Sequence, residues 1–429
     1  MNILEELDKP GEWCLDRNQG KLYFWPPSPL QGAKVFISLL DQPLMQINQS
    51  ENVHIEGISF EFSRGNGLVI NGGKNNIVRG CTFNNLGNTA VLINGGENNG
   101  VLSCNIFDVA FGGITLNGGD RKTLTAGENF ATNNDIHDIS QWIRTYQPAI
   151  KIAGVGNYIM HNRIHEAPGA GILLTGNEHI IEYNELFNLA LETGDVGGFY
   201  MGRDWTERGN IIRYNYFHDL KGTGAHDVNA VYLDDWASGT TVYGNIFSNC
   251  ARAVMIGGGR DNIIDNNIFA DCTLAVHVDS RGLGWAKYYF DGTDSTLFKR
   301  MDAVHYSQPP YSKRYPALLS LYQDEPAVAK HNSITHNIAF GCRWLDLHNE
   351  LTLKIVEVHD NLFSDVTGIY QSDGDKVSKK NLWLYNTADK DFRVTSKAVK
   401  EGFKPIPYSK IGMQKDLFRL KPQKTFSYK

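Results

Sequence analysis

Short apolar runs recur along this chain, each only a few residues long and each closed by glycine or asparagine. Within a run, apolar and polar positions alternate, the period of a strand that buries one face. From Asn52 the runs fall into a repeat of about 22 residues, lengthening to about 30 where loops are inserted. Successive units read NVHIEGISFEFSRGNGLVINGG, NNIVRGCTFNNLGNTAVLINGG and NNGVLSCNIFDVAFGGITLNGG. The pattern continues through NYIMHNRIHEAPGAGILLTG and TTVYGNIFSNCARAVMIGGG, and resumes after an interruption as SITHNIAFGCRWLDL. No run is long enough for a helix, which excludes helical solenoids and leucine-rich repeats. Three short strands per unit predict an all-β solenoid, a single chain wound as a parallel β-helix. One coil cannot bury its own inner face, but neighbours stacked at about 4.8 Å can.

The repeat fixes columns. Asn134, Asn162, Asn184, Asn215, Asn245, Asn267, Asn337 and Asn361 fall at one position of the coil, with Cys81 and Cys104 at the same position earlier. Stacked at a turn, these amides are expected to hydrogen-bond along the column and satisfy the bent backbone. Cys250, Cys272 and Cys342 form a second column. The cysteines are therefore read as small core residues with free thiols, not as a disulfide framework or metal set. His137, His165 and His218 follow the asparagine column and are read as turn or surface residues.

Five segments result. Residues 1–50 carry β-like pieces at 12–15, 21–25 and 34–40, interrupted by Pro26, Pro27 and Pro29, with a short helix only at 3–7. Coils run over 51–282. Residues 283–330 break the pattern with dense aromatics, basic residues and prolines, and should lie over the face that carries the acidic cluster described below. The last coils occupy 331–389, and 390–429 is a basic tail or cap over the exposed strand edges.

Composition narrows the function. The 41 basic and 47 acidic residues argue against nucleic acid as a partner. The 43 glycines alongside plentiful aromatics indicate many turns, not disorder. No apolar run has membrane-spanning length. The opening residues lack the layout of a signal peptide, so the compartment is not readable, although a polymer substrate implies a secreted or periplasmic protein.

Chemistry concentrates in residues 195–281, where strands end in GGFYMGRDW, AVYLDDW, AVMIGGGRDN and AVHVDSRG. Alternation points Ile172, Leu174, Phe199, Met201, Val231, Leu233, Val254, Ile256, Val276 and Val278 inward. The outward column is Leu173, Tyr200, Tyr232, Met255 and His277. One step along lies the column Thr175, Gly202, Asp234, Gly257 and Asp279. Asp234 and Asp279 should share an outer face, with Gly202 and Gly257 opening room for a ligand. Asp195 aligns with Asp227 just before the strands, and Arg203, Asp204, Trp205, Asp235 and Trp236 follow them. Tryptophan faces stack on sugar rings, acids and arginines bind hydroxyls, and a carboxylate pair does acid–base or nucleophilic work. The candidate catalytic groups are Asp195, Asp234 and Asp235. The candidate substrate contacts are Arg203, Asp204, Trp205, Tyr232, Trp236, Arg260, His277, Asp279, Arg281 and Trp285. No metal site or cofactor is expected for hydrolysis, since neither HExxH nor paired CxxC spacing occurs.

The motifs PGEWCLDRNQGKLYFWPP, GGFYMGRDW, RGNIIRYNYFHDL, VYLDDWASG, HVDSRGLGW and FKPIPYSKIGM resemble those of bacterial right-handed β-helix carbohydrate enzymes. The likeness is greatest to glycoside hydrolase family 141, described as fucosidase or xylanase, with family 120 xylosidases more distant. It covers nearly the whole chain. The resemblance implies an aspartate pair, one like Asp195 and one like Asp234 or Asp235, acting on plant or algal polysaccharides or oligosaccharides. Two other readings stand beside it. A uronate lyase or epimerase would use Lys151, His277 or Arg281 and a calcium ion, and a non-catalytic carbohydrate-binding β-helix would use the acids only as turn residues.

Overall fold

The computed structural model describes residues 3–223, 228–349, 351, 353–368 and 374–426. Two units divide the chain at Leu39 and Leu40. In the first, Trp13–Asp16 pairs antiparallel with Lys21–Phe24. The Asp16 carboxylate closes this hairpin by accepting from the backbone N–H groups of Asn18 and Gln19 at 2.9 and 3.0 Å. The expected helix at 3–7 is a single 3₁₀ turn, Leu4–Glu6. Residues 34–40 form no regular strand. Val35, Phe36, Ile37 and Leu39 are exposed there, so the run lacks the buried face that fixes a strand.

The second unit is a stack of parallel coils. Among the described residues its three long sheets contain 11, 12 and 12 strands, and neighbours within each are one coil apart except for Thr125–Ala126, which folds back antiparallel on Ile114–Asp120. The stack starts at Met45–Asn48, which pairs with Leu68–Asn71, ahead of the expected start at residue 51. The inward columns lie as alternation places them: Ile172 pairs with Phe199, then Val231, Val254 and Val276 in successive coils, all fully buried. Phe217, Phe247 and Phe269 stack with ring centroids 5.2 and 5.1 Å apart. Each such side chain contributes roughly 1.5–3 kcal/mol of burial, which no single coil realises alone.

The asparagine column is a continuous ladder. Asn184 donates its backbone N–H and its side-chain amide to Asn215 Oδ1, both at 2.9 Å. Asn215 repeats both bonds to Asn245 at 2.9 and 3.0 Å, and also donates to the Ile181 carbonyl at 2.9 Å. Cys104 joins by donating its N–H to Asn134 Oδ1 at 2.9 Å. A second ladder, through Asn76, Asn99, Asn129 and Asn157, uses the same N–H to Oδ1 bond. His179 takes the next rung: its Nδ1 accepts from Asn157 N at 3.0 Å, and its own N–H donates to Asn210 Oδ1. Burial pushes the His179 pKa down to about 4, so it works as a neutral acceptor.

All six cysteines are buried and free. His137, His165 and His218 do more than mark turns. They stack in one column, with Phe107 on His137 and Phe187 between His165 and His218, at centroid distances of 4.7 to 5.4 Å. The tail folds back, but from Lys404 onward it runs along the side of the stack. Lys404 N bonds Asn266 Oδ1, Gly412 N the Tyr183 carbonyl, Gln414 N Asn133 Oδ1, and Arg419 the Cys104 carbonyl.

Asn215→Ala removes one acceptor and several donors from a buried rung. The orphaned groups cost about 2–4 kcal/mol, read as a lowered denaturation midpoint. An unchanged midpoint would show that the ladder follows the register without supporting it.

Candidate functional site

Five strands of one sheet build the site: Ile172–Leu174, Val196–Gly202, Val228–Asp234, Arg252–Gly257 and Leu274–Asp279. Their pairing aligns Leu173, Tyr200, Tyr232, Met255 and His277 in one outward column. Gly202 pairs with Asp234 and Gly257 with Asp279, so the second column also holds. Arg343–His348 joins after the insertion and places Asp346 beside His277. Lys151 stands at the other end of the column, paired with Leu173.

Arg281 is the hub. Its Nη1 donates to Asp234 Oδ1 at 2.6 Å and Asp235 Oδ1 at 2.8 Å, while Nε and Nη2 hold Asp279 at 2.9 and 3.0 Å. Burial opposes the charge on Arg281, but the Asp279 and Asp234 carboxylates outweigh it and raise its pKa. Gly257 serves this arginine, not a ligand, since a Cβ there would strike the guanidinium. Arg203 pairs with the second oxygen of Asp235 at 3.0 Å. Asp235 and Trp236 adopt positive φ, 27° and 62°, in the turn that follows the Asp234 strand, and Arg203 adopts 67° after the neighbouring strand.

Two tyrosines complete the arrangement. Tyr200 OH donates to Asp234 Oδ2 at 2.9 Å, and Tyr232 OH donates to Asp195 Oδ1 at 3.0 Å. Their rings meet edge to face at 5.4 Å. Burial and the nearby Asp234 raise both hydroxyl pKa values, which keeps them as donors. Burial and the adjacent Asp235 raise the Asp234 pKa from its ordinary value, against Arg281 and Tyr200. Asp279 is resolved the opposite way: burial works to raise it, but His277 and Arg281 bring it down to about 2. Asp195, Tyr200, Arg203 and Asp234 line one pocket of about 160 Å³, with Thr145, Tyr146, Leu173 and Thr193.

Several expected contacts lie elsewhere. Trp205 and Trp236 are fully buried and offer no face to a sugar. The insertion covers them: Tyr289 and Phe290 pack on Trp236 at 4.7 and 5.4 Å, and Phe298 meets Trp205 at 5.7 Å. Asp204 is buried with Arg121 at 3.2 Å, and Arg260 with Asp324. Trp205, Trp236 and Arg260 anchor the insertion beside the site strands, while Asp204 holds Arg121 instead. Arg300 bonds the Arg203 carbonyl at 2.6 Å, but none of the pocket's lining residues comes from 283–330. Trp285 is exposed, with Arg281 over its ring at 5.6 Å. Asp227 lies outside the described residues. Tyr200, Tyr146 and Asp346 are additions. Tyr200 was visible in the outward column, but nothing local in the sequence marks Tyr146.

The model of the right-handed β-helix region matches residues 44–174 and 148–288, more than half of the chain. The chain belongs to the right-handed β-helix family. No curated protein matches it in sequence. Among solved β-helix structures, it is similar to a glycoside hydrolase at 13% identity and TM-score 0.46, covering 96% of this chain and 60% of that one. It is also similar to a mannuronic acid-specific polysaccharide family 6 lyase from human gut microbiota, at 14% identity and TM-score 0.43, covering 85% and 91%. A third is the Dettilon tailspike protein, at 13% identity and TM-score 0.38, covering 56% of each chain. The chain thus spans about 60% of the length of the first of these.

Beneath the insertion of this β-helix, Glu207 is buried beside Asp204. Burial first, then Asp204, pushes its pKa up to about 8, and its Oε2 has no hydrogen-bond partner. The folded state therefore keeps a proton that the unfolded chain releases near pH 4.5, so stability falls as pH rises from there to about 8. Glu207→Gln should match the wild type at low pH and exceed it by on the order of 5 kcal/mol above pH 8. Denaturant midpoints across that range check this, and parallel curves would refute it.

Proposed function

We propose that the protein is a glycoside hydrolase acting on neutral plant or algal polysaccharides or oligosaccharides, with Asp234 as the acid and Asp195 as its partner carboxylate. The observation that carries this reading is that both line one pocket while their surroundings differ. Asp234 is buried with a raised pKa, the condition of a carboxyl that holds a proton to give. Asp195 lies on the pocket wall, oriented by Tyr232. Asp235 is not among the lining residues and has both oxygens on arginines, which favours Asp234 over it. The resemblance to glycoside hydrolase family 141 supports a pair made of Asp195 with Asp234 or Asp235.

In this mechanism Asp234 protonates the departing glycosidic oxygen, and Asp195 attacks the anomeric carbon or activates water. Tyr200 and Arg281 hold Asp234 in place and set its proton affinity. Charge argues against a uronate lyase. Asp195, Asp234, Asp235 and Asp279 outnumber Arg203 and Arg281, and each Arg281 ion pair above is already made with a carboxylate, so a polyanion meets repulsion.

A panel of aryl glycosides and plant polysaccharides tests the reading. Asp234→Asn and Asp195→Asn should each lower kcat/KM about a thousandfold; unchanged turnover in both sinks the assignment. A rise in ultraviolet absorbance on a uronate polymer, lost with chelator, would transfer the protein to the lyases.

Tyr200→Phe removes a hydrogen bond that lowers the Asp234 pKa. An acid catalyst works protonated, so its alkaline limb should move to higher pH. A limb that stays or moves down contradicts the acid role.

A further inference from the structure

Beyond the Asp195–Asp234 pocket, the outward column ends in a cluster with the chemistry of a metal site. His277, Asp346 and His348 each offer one ligand atom, and the three lie within 4.8 Å of one another. His277 Nδ1 lies 3.1 Å from Asp346 Oδ2, and His348 Nε2 lies 2.7 Å from the same oxygen. A tetrahedral ion with bonds of about 2.0 Å has donor–donor edges of about 3.3 Å, close to these spacings. The geometry points to a site for a divalent ion of the zinc class, held by two imidazoles and one carboxylate oxygen with a fourth position open.

Three further contacts favour this reading. Asp279 Oδ2 lies 3.3 Å from His277 Nε2. A carboxylate there accepts the Nε2 proton and leaves Nδ1 free as the ligand, the usual outer partner of a metal-bound histidine. Arg343 takes Asp346 Oδ1 at 2.5 Å, which turns Oδ2 to the two rings. The imidazoles lie 4.9 Å apart at a 39° tilt, so neither ring blocks the other. Calcium is disfavoured, because it wants six to eight oxygens and the cluster offers two nitrogens.

A second cluster, Asp135, His137 and His165, makes the contrast. There Arg163 Nη1 already lies 3.2 Å from His165 Nε2, the ring atom that faces Asp135 at 3.2 Å. A guanidinium thus stands where a metal cation would have to sit.

The test is zinc titration of the chelator-treated full chain by calorimetry, with cobalt(II) as a spectroscopic probe. The wild type should bind zinc and give the visible bands of tetrahedral cobalt. His348→Ala, a change at an exposed side chain, should lose those bands and weaken zinc at least about tenfold. His137→Ala should retain both. Absence of binding by the wild type overturns the proposal, as does equal binding by the wild type and His348→Ala. The readout does not depend on glycoside turnover, so it stands or falls apart from the hydrolase reading.

Discussion

The structure depends on one repeated bond, the backbone N–H of a coil donated to the asparagine Oδ1 of the next. At each turn the chain bends away from its sheet, and the peptide groups there lose their strand partners. The amide replaces them and, by donating back to a carbonyl such as that of Ile181, ties a coil to the two beside it. Sheet hydrogen bonds alone would tolerate a slip of register. Two buried ladders at two corners do not, because a slip would orphan a polar group on every rung.

Register is what makes the site. Asp195 and Asp234 are 39 positions apart in sequence, yet the pairing of Val196 with Val228 and Gly202 with Asp234 brings their neighbourhoods together. Concentrating acids on one face has an electrostatic cost. Arg281 meets it from a coil beyond the site by binding Asp234, Asp235 and Asp279 at once. A lysine could not, since it lacks the planar set of donors that reaches three carboxylates. The compensation is incomplete at Asp234, whose proton affinity stays raised, and overcomplete at Asp279.

Much of this was legible in the chain because strand period and coil period are both short. Alternation assigned Phe199, Val231 and Val254 inward and Tyr200, Tyr232 and His277 outward. The asparagine column was read from spacing, but its companion through Asn76, Asn99 and Asn129 was not, although quoted repeats such as NNIVRG, NNGVLS and NYIMHN open with its asparagines. The errors fall where the chain leaves the coil. Trp205 and Trp236 looked like sugar platforms because nothing local says that residues 283–330 will fold onto them. Gly257 looked like room for a ligand because Arg281 lies 24 positions on, in a loop that no period predicts. Asp346 joins the site only after a long interruption in the repeat.

A polar chain runs along the outward face, from Asp346 through His277, Asp279 and Arg281 to Asp234 and Tyr200. Carboxylates alternate along it with imidazole, guanidinium and phenol groups, and each is fixed by the next. In a buried setting such a network polarises as a unit, so the proton affinity of Asp234 is a property of the chain, not of one contact. Charge added near His277 would strengthen the hold on Asp279, loosen Asp279 from Arg281, and leave more of Arg281 for Asp234 and Asp235. That shift favours ionised Asp234, so its hold on a proton is weakest when the far end of the chain is most positive. Coupling of this kind needs no moving part, only the fixed spacing of parallel strands.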